Sequence, residues 1–133
     1  MATSKVTYLG GLRTASVHLQ SGSEILSDAP VDNNGKGEAF SPTDTVANAL
    51  ATCMFTIMGI KARDMGISLE GSTAEVTKFM QASPRKISRI EVIFTMRSDA
   101  DEKAMVVLER VALTCPVYLS LHPDIEKDII FKW

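Results

Sequence analysis

Apolar and polar side chains alternate from Arg13 to Gln20. Arg13, Ala15, Val17 and Leu19 fall on one face, and Thr14, Ser16, His18 and Gln20 on the other. A period of two is that of a half-buried strand. Ser21-Gly22-Ser23 then reads as a hairpin turn, with Glu24 to Ser27 as a short return strand. Asp32 to Gly37, rich in Asn and Gly, reads as a mobile connection or lid. It lacks the Gly-Lys-Ser/Thr ending of a phosphate-binding loop, so it is not a nucleotide site.

The pattern changes at Ser41. Ser41 suits a helix N-cap, Pro42 the first helical position and Asp44 the acid of a capping box. Val46 through Ala62 is apolar or small at almost every position, and Gly66 is placed to end the helix in a left-handed cap. A helix apolar nearly all round is buried on most sides. One subunit's sheet hardly suffices for that in so small a protein, so a homodimer packing these helices together is expected.

Ile67 to Met80 suggests a strand of mixed alternation, broken by Ala82-Ser83-Pro84. Ile90, Val92, Phe94 and Met96 then line one face of a clearer strand. Ser98 or Asp99 caps a second helix running from Ala100 to Leu113, whose apolar stripe is Met105, Leu108, Ala112 and, if it continues, Cys115. Pro116 interrupts, Val117 to Leu121 is a short helical turn, and Ile125 to Trp133 a closing strand. The order predicts an α+β fold, helices against an antiparallel or mixed sheet, in a single domain over residues 1–133.

Composition narrows the function. With 14 basic against 16 acidic side chains, no strong field draws the chain to nucleic acid or an anionic membrane. Met1 to Leu9 lacks a secretory apolar stretch, and no uninterrupted apolar run approaches the roughly 20 residues of a bilayer span. A cytoplasmic location is expected. His18 and His122 are far apart and no Cys/His spacing suggests zinc. His122, before Pro123, is a polar turn residue or a catalytic one.

Two cysteines remain, and in a reducing compartment such a pair is either inert core or redox-active. Cys53 shares a helix face with Val46, Leu50 and Ile57. It is a small core hydrophobe or a shielded nucleophile, and apolar surroundings oppose the thiolate unless a cation offsets them. Cys115, before Pro116, falls at or next to the N-cap of a short helical turn, where backbone N–H groups are expected to lower its pKa, or is a buried cysteine at the end of a helical stripe. Arg13 sits on an otherwise apolar strand face, either reaching a partner or extending to solvent.

Taken together, Ser41-Pro42-Thr43-Asp44, the small-residue helix through Cys53 and Met54, Cys115-Pro116-Val117 and Leu121-His122-Pro123-Asp124 resemble the OsmC/Ohr family. Gly10-Gly11-Leu12-Arg13 is similar to that family's N-terminal hairpin. The resemblance implies an intertwined homodimer with active sites at its interface, reducing organic hydroperoxides in oxidative-stress defence without metal or organic cofactor. Cys53 would be the peroxidatic thiol, Cys115 the resolving thiol and a dithiol the reductant. Arg13 would be the cation holding Cys53 as thiolate. The family's peroxidase members carry a glutamate where this chain has Thr43, with Asp44 one residue later. Nine helical residues, about 13 Å of rise, separate Asp44 from Cys53. Asp44 is therefore a capping acid, or serves the site only if the helix breaks or if it orients Arg13 from a distance. The other readings are a non-catalytic homodimer holding a small apolar ligand, and a redox-responsive protein without turnover.

Overall fold

The computed structural model describes residues 1–133. Strands β1 (Ser4–Gly10), β2 (Arg13–His18) and β3 (Glu24–Asp28) form an antiparallel sheet in that order. The hairpin turn closes where the Ser-Gly-Ser segment predicts it, with His18 N–H donating to Ser23 O at 2.8 Å. Alternation in burial does not follow, because Arg13 through Val17 are all half-buried. The loop after β3 is pinned, where mobility was expected. A 3-10 turn spans Val31–Asn33, Gly35 N–H donates to Pro30 O at 2.9 Å, and Gly37 N–H to Ala29 O at 3.2 Å. Any side chain at Gly35 would collide with the Ala29 carbonyl, so the loop can fold back this tightly only on glycine.

Helix α1 runs Pro42–Asp64. Its start is the capping box foreseen: Asp44 N–H donates to Ser41 Oγ at 3.0 Å and Ser41 N–H to Asp44 Oδ2 at 3.0 Å. Its end is a Schellman motif, with Gly66 at φ +70, Gly66 N–H bonded to Arg63 O and Ile67 N–H to Ala62 O. At 23 residues and mean hydropathy 1.3 it is long and apolar enough to cross a bilayer by those measures alone. Leu50, Met54 and Met58 are nevertheless fully buried in the protein core. The opposite side is less covered than an all-round apolar helix led one to expect: Thr52, Thr56, Gly59 and Ile60 are exposed.

Strands β4 (Thr73–Ala82), β5 (Arg85–Thr95) and β6 (Glu126–Lys132) make the second sheet, antiparallel between β4 and β5 and parallel between β5 and β6. Ile90, Val92 and Phe94 point from β5 into the core and are fully buried, as their alternation predicts. Phe94 meets Phe55 of α1 edge-on at 4.8 Å and stacks on Phe131 of β6 at 5.0 Å. Helix α2 (Glu102–Ala112) starts later than read from sequence, because Asp101 and not Ser98 or Asp99 is the cap, its carboxylate accepting from Ala104 N at 2.8 Å. Its stripe buries Ala104, Leu108 and Ala112 and leads to α3 (Pro116–Ser120). The chain groups into two compact units, Met1–Val46 and Ala47–Trp133. The first contains β1 to β3 and the capping box, the second most of α1 and everything after it.

Candidate active site

In the second unit, Cys53 and Cys115 come together although 62 residues separate them in sequence. Cys53 projects half-buried from the fourth turn of α1 and packs against the cluster of which fully buried Cys115 is a member. Both are free thiols, and Cys53 is near enough to raise the pKa of Cys115.

Cys115 occupies the N-cap of α3, and Tyr118 N–H donates to its Sγ at 3.2 Å. The expectation that this position lowers its pKa needs correction. Burial raises it and is the largest influence, and the neighbouring Cys53 thiol raises it further through its hydrogen bond and charge. The backbone donors of Tyr118 and Val117 pull the other way and lose. A five-residue helix offers few aligned dipoles, whereas a fully dry sulfur forfeits all its hydration. Cys115 is thus held as a protonated thiol beside Cys53.

In the first unit, Arg13 does reach a partner, in fact two. Its Nε donates to Asp28 Oδ1 at 2.7 Å and its Nη2 to Asp28 Oδ2 at 2.8 Å, a bidentate pair. Nη2 also donates to Glu38 Oε2 at 3.1 Å, and Glu38 N–H donates to Asp28 Oδ2 at 3.2 Å. Asp28 is 1% exposed, Glu38 67%. The hydrogen bonds from Arg13 hold the Asp28 carboxyl below its ordinary range despite burial, and hold the guanidinium proton still more firmly.

Asp28 and Glu38 were missed from sequence. Asp28 was within reach: Val17 pairs with Glu24 across the predicted turn, and the same register carried to the strand ends sets Arg13 opposite Asp28. Glu38 had no such signal, since a folded-back loop delivers it. Asp44 is engaged in the capping box, and Thr43 Oγ1 lies 3.3 Å from Ser41 Oγ. His122 is exposed, its Nδ1 accepting from Asp124 N at 3.0 Å as in a turn. No group of three or more His, Cys, Asp or Glu side chains is gathered as metal ligands would be.

The family model for OsmC-like proteins matches residues 35–129, from the folded-back loop into β6 and spanning both thiols. The chain belongs to the OsmC-like family. Among solved structures, an osmotic stress induced and detoxification response protein from Psychrobacter arcticus is 57% identical, with TM-score 0.95 over 98% of this chain and 96% of that one. An organic hydroperoxide resistance protein OsmC from Legionella pneumophila superposes at TM-score 0.73 and 18% identity, over 100% and 98% of the two chains. The organic hydroperoxide resistance protein OhrB of Bacillus subtilis does so at TM-score 0.65 and 18% identity, over 98% of each. The last two establish the OsmC-like fold and no more. No curated protein matches the chain.

Proposed function

We propose that the chain is a thiol-dependent organic hydroperoxide reductase, with Cys53 peroxidatic and Cys115 resolving. The observation that carries this reading is the pair of free sulfurs brought together in one cluster, one half-open and one sealed. The Cys53 thiolate attacks the distal oxygen of ROOH, the O–O bond breaks, and RO⁻ leaves to take a proton as ROH. Cys53 is then a sulfenic acid. The Cys115 sulfur, losing its proton, attacks the Cys53 sulfur, forming the disulfide and releasing water. An external dithiol reopens it by two exchanges, itself becoming a disulfide. The half-open sulfur is the one a substrate can approach, which supports this order.

Arg13 serves as the cation for the Cys53 thiolate, and Asp44 contributes by fixing the first turn of α1. The two compact units act as one domain over 1–133, working in the reducing cytoplasm that returns both sulfurs to thiols. The chain is further read as a homodimer, which the uncovered strip of α1 supports; a monomeric mass in light scattering removes that part of the reading.

Cys53→Ser tests the core of the proposal. Dithiothreitol-dependent loss of cumene hydroperoxide is expected to fall to the uncatalysed rate. Mild peroxide is expected to give the parent an intrachain 53–115 disulfide by mass spectrometry. A serine variant as fast as the parent defeats the assignment. A disulfide that forms once and is never recycled marks a redox-responsive protein instead.

A further inference from the structure

Helices α1 and α2 are capped by oxygen, from Ser41 Oγ and Asp101 Oδ1. Helix α3 is capped by sulfur, with Tyr118 N–H donating to Cys115 Sγ at 3.2 Å. A thiol sulfur is a weak acceptor, and cysteine is not among the preferred N-cap residues. The helix it starts has five residues, hardly more than one turn, and none of them is fully buried. Leu119 is 71% exposed. A helix this short is held by its cap and its packing, not by its own propensity. The packing is one-sided: Val117 and Tyr118, with Leu121 just beyond, lie half-buried against the cluster that contains Cys115. The sulfur under the cover is therefore the group that secures the cover.

We propose that Cys115 is a redox latch. As a thiol it caps α3 and keeps its own side of the sulfur pair sealed. On bonding to Cys53 it lets the cap go, so that α3 loosens over the disulfide and refastens when the disulfide is reduced. The inference rests on the reading of Cys53 and Cys115 as a disulfide-forming pair, and goes beyond it. A disulfide imposes an S–S length of about 2 Å and a dihedral near roughly 90°, which together fix where each sulfur lies. Cys53 rides on the 23-residue helix α1, anchored on either side of it by fully buried Leu50, Met54 and Met58. Helix α3 has no such anchor. The adjustment falls on the less stable element, as local opening does in general. A Cys115 side chain turned toward α1 no longer presents its sulfur to Tyr118 N–H. Losing an N-cap lowers the helix population by about 2- to 30-fold, which a single turn cannot absorb. The thiols thus wait under a closed cover, and an external dithiol meets a loosened one when there is a disulfide to open.

Hydrogen exchange read by mass spectrometry tests this on the full chain, reduced with dithiothreitol or oxidised with diamide. Diamide takes two protons and two electrons from a thiol pair and so closes the disulfide without any peroxidase activity. The amides of residues 117–121 are expected to exchange about 10-fold faster in the oxidised protein. Those of β5 are expected to keep their rate, and dithiothreitol to restore the original pattern. In the reduced state Cys115→Ala, which removes the cap, is expected to speed the same amides by about 2- to 30-fold. Cys115→Ser, which replaces sulfur with an oxygen cap, is expected to leave them as slow as in the parent or slower. These variants read the cap with no disulfide present. If residues 117–121 slow on oxidation or keep their rate while mass spectrometry confirms the 53–115 disulfide, the latch is overturned and the peroxidase reading stands. An acceleration shared equally by β5 overturns it too, as does an alanine variant no faster than the parent. If diamide loosens α3 while cumene hydroperoxide closes no disulfide, the latch holds and the peroxidase reading fails. A chain that neither oxidant cross-links overturns both.

Discussion

The two three-stranded sheets of this chain bury opposite kinds of side chain. In residues 1–46 the only buried side chains are Asp28 and Ser41, both polar, while Val6, Tyr8, Ile25 and Leu26 stand more than half exposed or close to it. In residues 47–133 the buried set is wholly apolar, from Leu50 and Met54 through Ile90 and Phe94 to Cys115. The second unit has the dry core that drives folding. The first is held by backbone ladders and by one ion cluster anchored on a buried carboxylate. A three-stranded sheet with apolar residues left in water is marginal by itself. It acquires stability from whatever covers it, which in the proposed homodimer is a second copy. The contrast also separates two chemical settings. The dry unit holds the sulfurs, where low dielectric keeps Cys115 protonated, and the wetter one holds the guanidinium.

The strongest way to break this comparison is to open a cavity in the dry unit. Met58 is fully buried between α1 and the second sheet. Met58→Ala is expected to cost about 2–5 kcal/mol, the lost transfer energy plus the void left behind. Denaturant unfolding monitored by far-UV dichroism measures it. A cost below about 1 kcal/mol would mean that the second unit does not carry the stability assigned to it.

The division between the units also marks how far the residues could be read in advance. The second unit was legible because its alternation answers to its own core: Ile90, Val92 and Phe94 line one face, and Leu108 and Ala112 one stripe. Capping at Ser41, Pro42 and Asp44, and the stop at Gly66, could be read because local hydrogen bonds decide them. The first unit was legible as strands and a turn but not in its burial, since alternation from Arg13 to Leu19 implies a covered face that one chain does not supply. The thiol pair was found from motif resemblance. What stayed hidden were Asp28 and Glu38, whose importance comes from strand register and a loop turned back on glycine. The protonated state of Cys115 was hidden too, because the balance between a dry sulfur and the two backbone N–H donors of a short helix depends on burial.

A gentler test uses acid, aimed at the first unit. Arg13 holds the folded-state pKa of Asp28 below its ordinary 3.8. The unfolded chain therefore takes up the proton first as pH falls. The contribution of this group is fully present above about 3.8 and is lost as pH drops through the folded value. Hydrogen exchange of β2 and β3 amides is expected to accelerate relative to β5 below that pH, and the effect is expected to vanish in Asp28→Asn. Equal acceleration in both sheets would mean that acid acts on the molecule as a whole and not through this cluster.

The smallest expected effect lies at the alkaline end and falls on the second unit. The folded-state pKa of Cys115 lies above its ordinary 9.0, chiefly because the sulfur is dry. Here the folded protein holds its proton more tightly than the unfolded chain does. The contribution is intact below 9.0 and is lost as pH rises through the folded value. Each pH unit between the two removes at most about 1.4 kcal/mol. Thermal unfolding from pH 8 to 11 is expected to show a decline in Tm that Cys115→Ala reduces, while Asp28→Asn leaves it in place. The same tight proton makes the resolving step slower as pH falls, so disulfide formation after a peroxide pulse should accelerate with pH even where sulfenic acid formation has levelled off. If Cys115→Ala declines as steeply as the parent, the alkaline loss belongs to other groups. The assignment of a dry, proton-holding sulfur to the second unit would then fail.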